Sequence, residues 1–135
     1  MRKTIILIVF LFMNLKLYGP ERNTLTIITN SAINPFEALF KAVCDVESAG
    51  NALGYNKDKN AIGIVQIRQI RIKDYNRRTG HNYKLIEMFN PEKAKSVFMY
   101  YASKYNPCDY EHIARSWNGS GPLTKIYWNK IKSKL

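Results

Sequence analysis

Histidine and cysteine are scarce in this 135-residue chain, which has two of each. The histidines, His81 and His112, have no spacing with each other, with cysteine or with aspartate that would assemble a metal site. No glycine-rich phosphate loop occurs, and no Ser-His-Asp order stands out. The composition therefore gives no support to metal chemistry, phosphate-loop nucleotide binding or serine-type acyl transfer.

A hydrophobic run long enough to span a bilayer as a stable anchor is also missing. Residues 5–13 are apolar and follow Arg2 and Lys3, which is the layout of a signal peptide. Residues 17–19 lack the small-x-small pattern of a cleavage site, so a cleaved signal and an uncleaved N-terminal anchor both stay open. We expect export to the periplasm or beyond, with residues 1–19 as signal or anchor, 20–33 as a leader and 34–135 as one domain.

Acidic residues are few: 10 Asp and Glu stand against 21 Lys and Arg, for a net charge of +11. An excess of eight positive charges remains without residues 1–19. Such an excess favours a polyanionic neighbourhood, and a cell wall with peptide carboxylates fits an exported protein better than nucleic acid does. A soluble domain that merely carries many lysines is the plain alternative.

The two cysteines leave a choice open. An exported chain favours a disulfide between Cys44 and Cys108, which would close a long loop. Two separate buried thiols are the alternative, because free cysteine is among the most buried residue types.

One helix carries the most informative residue, Glu47. Asn34 and Pro35 predict a helix start, and the helix runs to about Ser48 before a left-handed cap at Gly50. Glu47 ends an apolar stripe with helical spacing, formed with Phe36, Leu39, Phe40, Val43 and Val46. A carboxyl group on that face loses hydration, which raises its pKa and suits a general acid.

The remaining segments predict a mainly helical chain with a minimal sheet. Residues 51–60 are polar and turn-rich, and residues 61–67 suit a short strand or a buried turn. Helices are expected over 68–78, from Asn90-Pro91 onward, over 111–116 and over 123–131. In and just before the first of these, Ile67, Ile70 and Asp74-Tyr75 recur at helical spacing.

Four motifs follow one another in a recognisable order: Glu47-Ser48, Ala-Ile-Gly-Ile-Val-Gln-Ile at 61–67, Phe-Asn-Pro-Glu-Lys at 89–93 and Ala-Arg-Ser-Trp-Asn-Gly at 114–119. Together they resemble the SLT-type lytic transglycosylases of the lysozyme-like fold, and goose-type lysozymes share much of the layout. The sequence departs from the family where Ile64-Val65 replaces Leu-Met and where Trp117 replaces a tyrosine. The second change keeps an aromatic surface for packing or for sugar stacking and loses the phenolic hydroxyl.

The resemblance implies a role for several residues. Glu47 is expected to be the catalytic acid, supported by Ser48, while Gly63 lets the backbone approach sugar closely. Substrate contacts are expected from Gln66, Trp117, Asn118 and Tyr127, and Tyr127 matches a family tyrosine that lies close to the catalytic carboxyl group. Each has a plainer alternative: a helix-end hydrogen bond for Ser48, hydrogen bonds to loop backbone for Gln66 and Asn118, and core packing for Tyr127.

The resemblance also implies a reaction: cleavage of the β-1,4 bond between N-acetylmuramic acid and N-acetylglucosamine, with 1,6-anhydro ends and no metal or organic cofactor. One carboxyl group then serves as acid and as base. A hydrolytic lysozyme would need a second carboxylate, for which Asp58 and Asp74 are the candidates. A catalytically silent wall-binding module is a further alternative. We expect a monomer that acts on glycan strands. Its small size suits an enzyme that works beside a secretion or conjugation machine.

Overall fold

The computed structural model describes residues 33–135, which belong to one compact unit. The expected signal segment at 1–19 and nearly all of the leader at 20–33 lie outside the described residues. Five α-helices are described: α1 Glu37–Ser48, α2 Gln69–Thr79, α3 Pro91–Ala102, α4 Tyr110–Asn118 and α5 Leu123–Lys132. Within the described part, no helix is long and apolar enough to cross a membrane.

Helix α1 begins two residues later than predicted and ends where expected. The side-chain oxygen of Asn34 accepts from the backbone N–H of Phe36 at 3.0 Å, so it caps the preceding turn, while Phe36 is the N-cap. At the other end Ala49 and Gly50 both adopt positive φ, and their N–H groups satisfy the last carbonyls of the helix. This end fixes where Glu47 can point.

The sheet is minimal, as predicted. Strands β1 Tyr55–Asn56, β2 Ala61–Ile62 and β3 Ile67–Arg68 pair antiparallel in that order. The polar segment 51–60 therefore contains a strand, although its composition predicted a loop. Residues 61–67 form both a strand and a tight turn, since the N–H of Gln66 donates to the carbonyl of Gly63 at 3.1 Å.

A short 3-10 helix at Leu85–Phe89 has no counterpart in the sequence-based expectation. Its Met88 is fully buried, and the Met88 carbonyl lies directly against Gly63. A Cβ atom added at Gly63 would sit 2.1 Å from that oxygen. Gly63 is therefore required by this backbone contact, and the predicted close approach of sugar does not account for it.

The helices that come after the sheet in sequence lie largely where their capping residues predict them. Asn90 accepts from the N–H groups of Glu92 and Lys93, which confirms the predicted start of α3. Helix α4 extends through Trp117 and Asn118, two residues that the sequence assigned to a loop. In α2 the helical-spacing pattern only partly follows the buried face. Tyr75 is buried and Ile70 is 72% exposed, while Ile72, outside the pattern, is buried.

The core lies between α1, α3, α4 and α5. Its fully buried members include Leu39 and Val43 of α1, Val97 and Phe98 of α3, and Ile131 of α5. Burial of one such side chain stabilises the folded state by roughly 1.5–3 kcal/mol. The prediction of a mainly helical, lysozyme-like domain with a minimal sheet is confirmed by this arrangement.

The cysteines are free, so the disulfide between Cys44 and Cys108 is not formed. Cys44 is buried in the core face of α1, whereas Cys108 lies exposed in the turn before α4. The alternative of two buried thiols is also wrong, because Cys108 is exposed. Burial, reinforced by the charge of Asp45, raises the pKa of the Cys44 thiol to about 12.

We expect a thiol reagent to label only Cys108 in the native protein, because Cys44 is covered and protonated. The measurement is the number of thiols that react with Ellman's reagent before and after unfolding. One thiol should react in native protein and two in denaturant, and the Cys108→Ser variant should show none until it unfolds. No reaction in native wild-type protein would instead indicate a disulfide.

Candidate active site

Glu47 lies half-buried near the end of α1, where the helix meets α5. Its Oε1 atom accepts a hydrogen bond from the hydroxyl of Tyr127 at 2.8 Å. Burial raises the pKa of Glu47 above its ordinary value. The Tyr127 hydrogen bond opposes this rise, as do the nearby charges of Lys59, Arg71 and Arg68. The carboxyl group can thus hold a proton above the usual range for glutamate and still be stabilised when ionised.

A groove runs past this carboxyl group. It consists of three adjoining depressions that share Glu47 and Asn56, with volumes of about 190, 410 and 410 Å³. We call them together the Glu47 groove. A larger depression of about 550 Å³ lies beside α4 and the loop at 119–121, but Glu47 does not line it. The chemistry argued below belongs to the groove, because volume without a reactive group does not make an active site.

Most of the predicted site residues come together in the Glu47 groove. Ser48, Gln66, Trp117, Asn118 and Tyr127 line one or more of its three parts. Gly63 does not, since it is buried against the 3-10 helix. The structure brings these residues together from α1, from the turn at 63–66, from the end of α4 and from α5.

Ser48 links the acid's helix to the turn that carries Gln66. Its hydroxyl lies 2.8 Å from the carbonyl of Ile64 and 3.3 Å from that of Cys44. The second contact is the helix-end hydrogen bond of the plainer alternative, and the first ties α1 to the sheet. Ser48 therefore fixes the end of α1 relative to the turn that carries Gln66.

Gln66 holds the same turn together. Its amide nitrogen donates to the carbonyl oxygens of Gly54 at 3.2 Å and Gly63 at 3.0 Å. Gln66 itself has a φ of 51°, an uncommon conformation for a residue other than glycine. The amide nitrogen of Gln66 thus bonds the loop backbone, which is the plainer alternative for this residue. The side chain as a whole still lines the groove beside Glu47.

Tyr127 is buried, with 8% of its surface exposed, and its hydroxyl points to Glu47. Burial, together with the charge of Glu47, raises the pKa of Tyr127. The phenol consequently stays protonated and keeps donating to the carboxyl group. Core packing and contact with the candidate acid coexist in this one residue.

Of the two roles expected for Trp117, the structure favours packing over sugar stacking. It is only 7% exposed, and the guanidinium group of Arg71 lies 4.1 Å above its ring centroid. Arg71 also donates to the backbone carbonyl of Trp117 at 2.8 Å. The guanidinium group of Arg71 therefore covers one face of the indole ring. A ligand that approaches this face meets the cation rather than the ring.

Arg71, Arg68, Lys59 and Asn56 are groove residues that the sequence did not identify. A signal existed, because the segment 68–78 is strongly basic and the loop 51–60 is polar. Neither feature gives the direction of a side chain. The pairing of Asn56 with Ala61 and of Ala61 with Arg68 in the sheet brings Asn56 and Arg68 to the groove, whereas Lys59 comes from the β1–β2 turn and Arg71 from α2.

The two candidate second carboxylates differ in their surroundings. Asp74 accepts from Arg77 at 2.6 Å, from Tyr101 at 2.8 Å and from Arg78 at 2.8 Å. These donors, Arg77 foremost, lower the pKa of Asp74 to about 2. Asp58 lies in the exposed loop and is the only other carboxyl group among the residues described as lining the Glu47 groove.

Comparison with known protein families identifies the family of this chain. A family model for the transglycosylase SLT domain matches residues 27–119. No curated protein and no solved structure matches the chain. Because the match covers most of the chain, the protein belongs to the transglycosylase SLT family, and it is an enzyme of the peptidoglycan lytic transglycosylase type.

Proposed function

We propose that this lytic transglycosylase uses Glu47 alone to cleave the β-1,4 bond between N-acetylmuramic acid and N-acetylglucosamine, leaving 1,6-anhydro ends. The observation that carries the proposal is the contact between Glu47 and Tyr127 at the wall of the groove. The peptidoglycan substrate follows from family membership, whereas the roles of individual residues are argued from the geometry.

In the first step the protonated Glu47 donates its proton to the glycosidic oxygen as the bond to the muramic carbon breaks. Burial favours the protonated form beforehand. As the carboxylate forms, the Tyr127 hydroxyl and the cations at 59, 68 and 71 stabilise its charge.

In the second step the same carboxylate accepts the proton of the C6 hydroxyl while that oxygen bonds to the anomeric carbon. The substrate's own acetamido group stabilises the cationic carbon between the two steps. Glu47 is protonated again at the end, so the cycle consumes no water. No second carboxylate takes part.

The pH profile offers a test of the Tyr127 contact. Tyr127→Phe removes a donor that favours the ionised form of Glu47, so the pKa of Glu47 should rise. Since the first step needs the protonated acid, activity falls as pH rises through that pKa. We expect the alkaline limb of kcat/KM to move to higher pH in this variant.

Tyr105→Phe is the matched control, because its hydroxyl bonds Ser116 away from the Glu47 groove. Its profile should keep the wild-type limb. A Tyr127→Phe enzyme that loses activity equally at every pH would show that Tyr127 supports packing only.

Replacing the other carboxylates separates this reaction from hydrolysis. Asp58→Asn and Asp74→Asn should each keep most of the wild-type turnover of purified peptidoglycan. Asp58 is exposed at the groove's rim, and Asp74 is engaged by two arginines and a tyrosine. A loss of about 100-fold or more at either position would point to a second catalytic carboxylate and to the lysozyme alternative.

We also propose that the enzyme is exported and works in the periplasm, because its polymer substrate lies outside the cytoplasm. Fusion of residues 1–19 to a phosphatase that is active only after export tests this directly, and an inactive fusion would contradict it. Work beside a secretion or conjugation machine, action as a monomer and retention of the N-terminal segment as an anchor remain predictions.

A further inference from the structure

The distribution of positive charge around the Glu47 groove is uneven. Its described lining contains five cations: Lys57, Lys59, Arg68, Arg71 and Lys130. Only two carboxyl groups accompany them, Glu47 and Asp58. Glu47 is uncharged when it is ready to act, so the groove that receives substrate is strongly cationic.

These cations have no carboxylate partners within residues 33–135. The ion pairs there engage other basic residues: Arg77, Arg78, Lys93, Lys95, His112, Arg115 and Lys134. A paired cation has part of its field cancelled by its partner, whereas an unpaired one keeps it for a ligand. The five cations of the groove therefore keep their fields for a ligand.

Three of the five cations converge on one part of the groove. Lys59 from the β1–β2 turn, Arg68 from β3 and Arg71 from α2 line the depression of about 190 Å³ beside Glu47. We call this part the basic pocket. Arg71 is held in place by Trp117, both through the ring face and through the backbone carbonyl. A cation fixed in this way loses little further freedom when it binds an anion.

The substrate supplies an anion close to the scissile bond. Each stem peptide is attached to the lactyl group of N-acetylmuramic acid and carries free carboxylates unless they are amidated. Two extended residues span roughly 7 Å, so a carboxylate early in the stem lies within reach of a pocket next to the acid. Arginine and lysine bind carboxylates by charge-assisted hydrogen bonds.

We propose that the basic pocket binds a stem-peptide carboxylate and makes the enzyme selective for glycan strands whose stems carry free, non-amidated carboxylates. This inference rests on the proposed function, since it places the muramic residue of the cleaved bond beside Glu47. It names a substrate feature that the SLT family match does not specify.

The test compares three preparations of peptidoglycan from which phosphate polymers have been removed with hydrofluoric acid. The first keeps its stem carboxylates, the second has them chemically amidated, and the third has had its stems removed by an amidase. We expect wild-type kcat/KM to be about fivefold or more higher on the first than on the second, from two exposed ion contacts of up to about 1 kcal/mol each.

The double variant Lys59→Gln/Arg68→Gln should lower that ratio toward one, because only Arg71 is then left in the basic pocket to bind the carboxylate. Arg71 is left unchanged because its guanidinium also packs on Trp117. Both substitutions alter the pKa of Glu47, but this change affects both substrates equally and cancels in the ratio. Lys73→Gln is the matched control, since Lys73 is exposed on the same helix as Arg71 and should leave the wild-type ratio unchanged.

Binding provides a readout that does not depend on turnover. Glu47→Gln protein should sediment with the carboxylate-bearing sacculi more than with the amidated ones, and added salt should reduce the difference. Equal binding and equal turnover on both preparations would overturn the inference while leaving the proposed function intact. So would a preference of undiminished size in the double variant, or one seen only before phosphate polymers are removed. Absence of cleavage on every preparation, with selective binding retained, would instead overturn the proposed function.

Discussion

Glu47→Gln is expected to lower peptidoglycan cleavage by at least about 100-fold, and by up to about 10,000-fold. The amide keeps the shape of the side chain and can still accept from Tyr127, but it cannot donate a proton to the glycosidic oxygen. Release of soluble muropeptides from purified sacculi is the measurement. Residual activity above about a tenth of wild type would remove Glu47 from its role.

The same variant should not lose stability at neutral pH. Burial raises the folded-state pKa of Glu47 above its unfolded value, so the folded protein resists the ionisation that the unfolded chain accepts. As pH falls from the folded-state pKa of Glu47 toward its unfolded-state pKa, the wild-type protein therefore gains stability. The variant has no carboxyl group at this position and lacks this gain. A melting temperature at pH 7 equal to or above the wild type's shows that lost activity is chemical.

Gly63→Ala is expected to give the largest loss of stability, about 3 kcal/mol or more. Two costs combine at this position. The φ of 80° disfavours an alanine by roughly 1–2 kcal/mol, and the new Cβ would lie 2.1 Å from the Met88 carbonyl. The contact is with backbone, so the turn or the 3-10 helix would have to move. A fall of more than about 10 °C in melting temperature is the expected result.

Gly80→Ala separates the two costs. Gly80 has a similar φ of 75°, but nothing lies within 4 Å of an added Cβ. This control should lose only the conformational part, about 1–2 kcal/mol. Equal destabilisation of the two variants would show that the contact between Gly63 and Met88 contributes nothing.

Several features of the site could be predicted because they depend on local sequence. The helix end that places Glu47 follows from an apolar stripe and a glycine, and the start of α3 follows from Asn90-Pro91. The order of four motifs was enough to indicate the family. That identification made Tyr127 a candidate partner of Glu47 across 80 positions of sequence.

Other features depend on contacts between distant segments, which periodicity does not encode. Gly63 was assigned to the substrate because the 3-10 helix that it contacts has no clear signature. The choice between packing and sugar stacking at Trp117 stayed open because nothing in the sequence places Arg71 over its ring. The state of Cys44 and Cys108 likewise depended on which side of α1 and of the turn at 106–109 faces the core.

Mass spectrometry of the muropeptides that wild-type enzyme releases from purified peptidoglycan tests the central claim most directly. Cleavage by Glu47 alone predicts muramic ends that are one water lighter than free reducing ends, because the C6 oxygen replaces water as the attacking group. Reducing ends as the main product would contradict the account and show that a second group activates water.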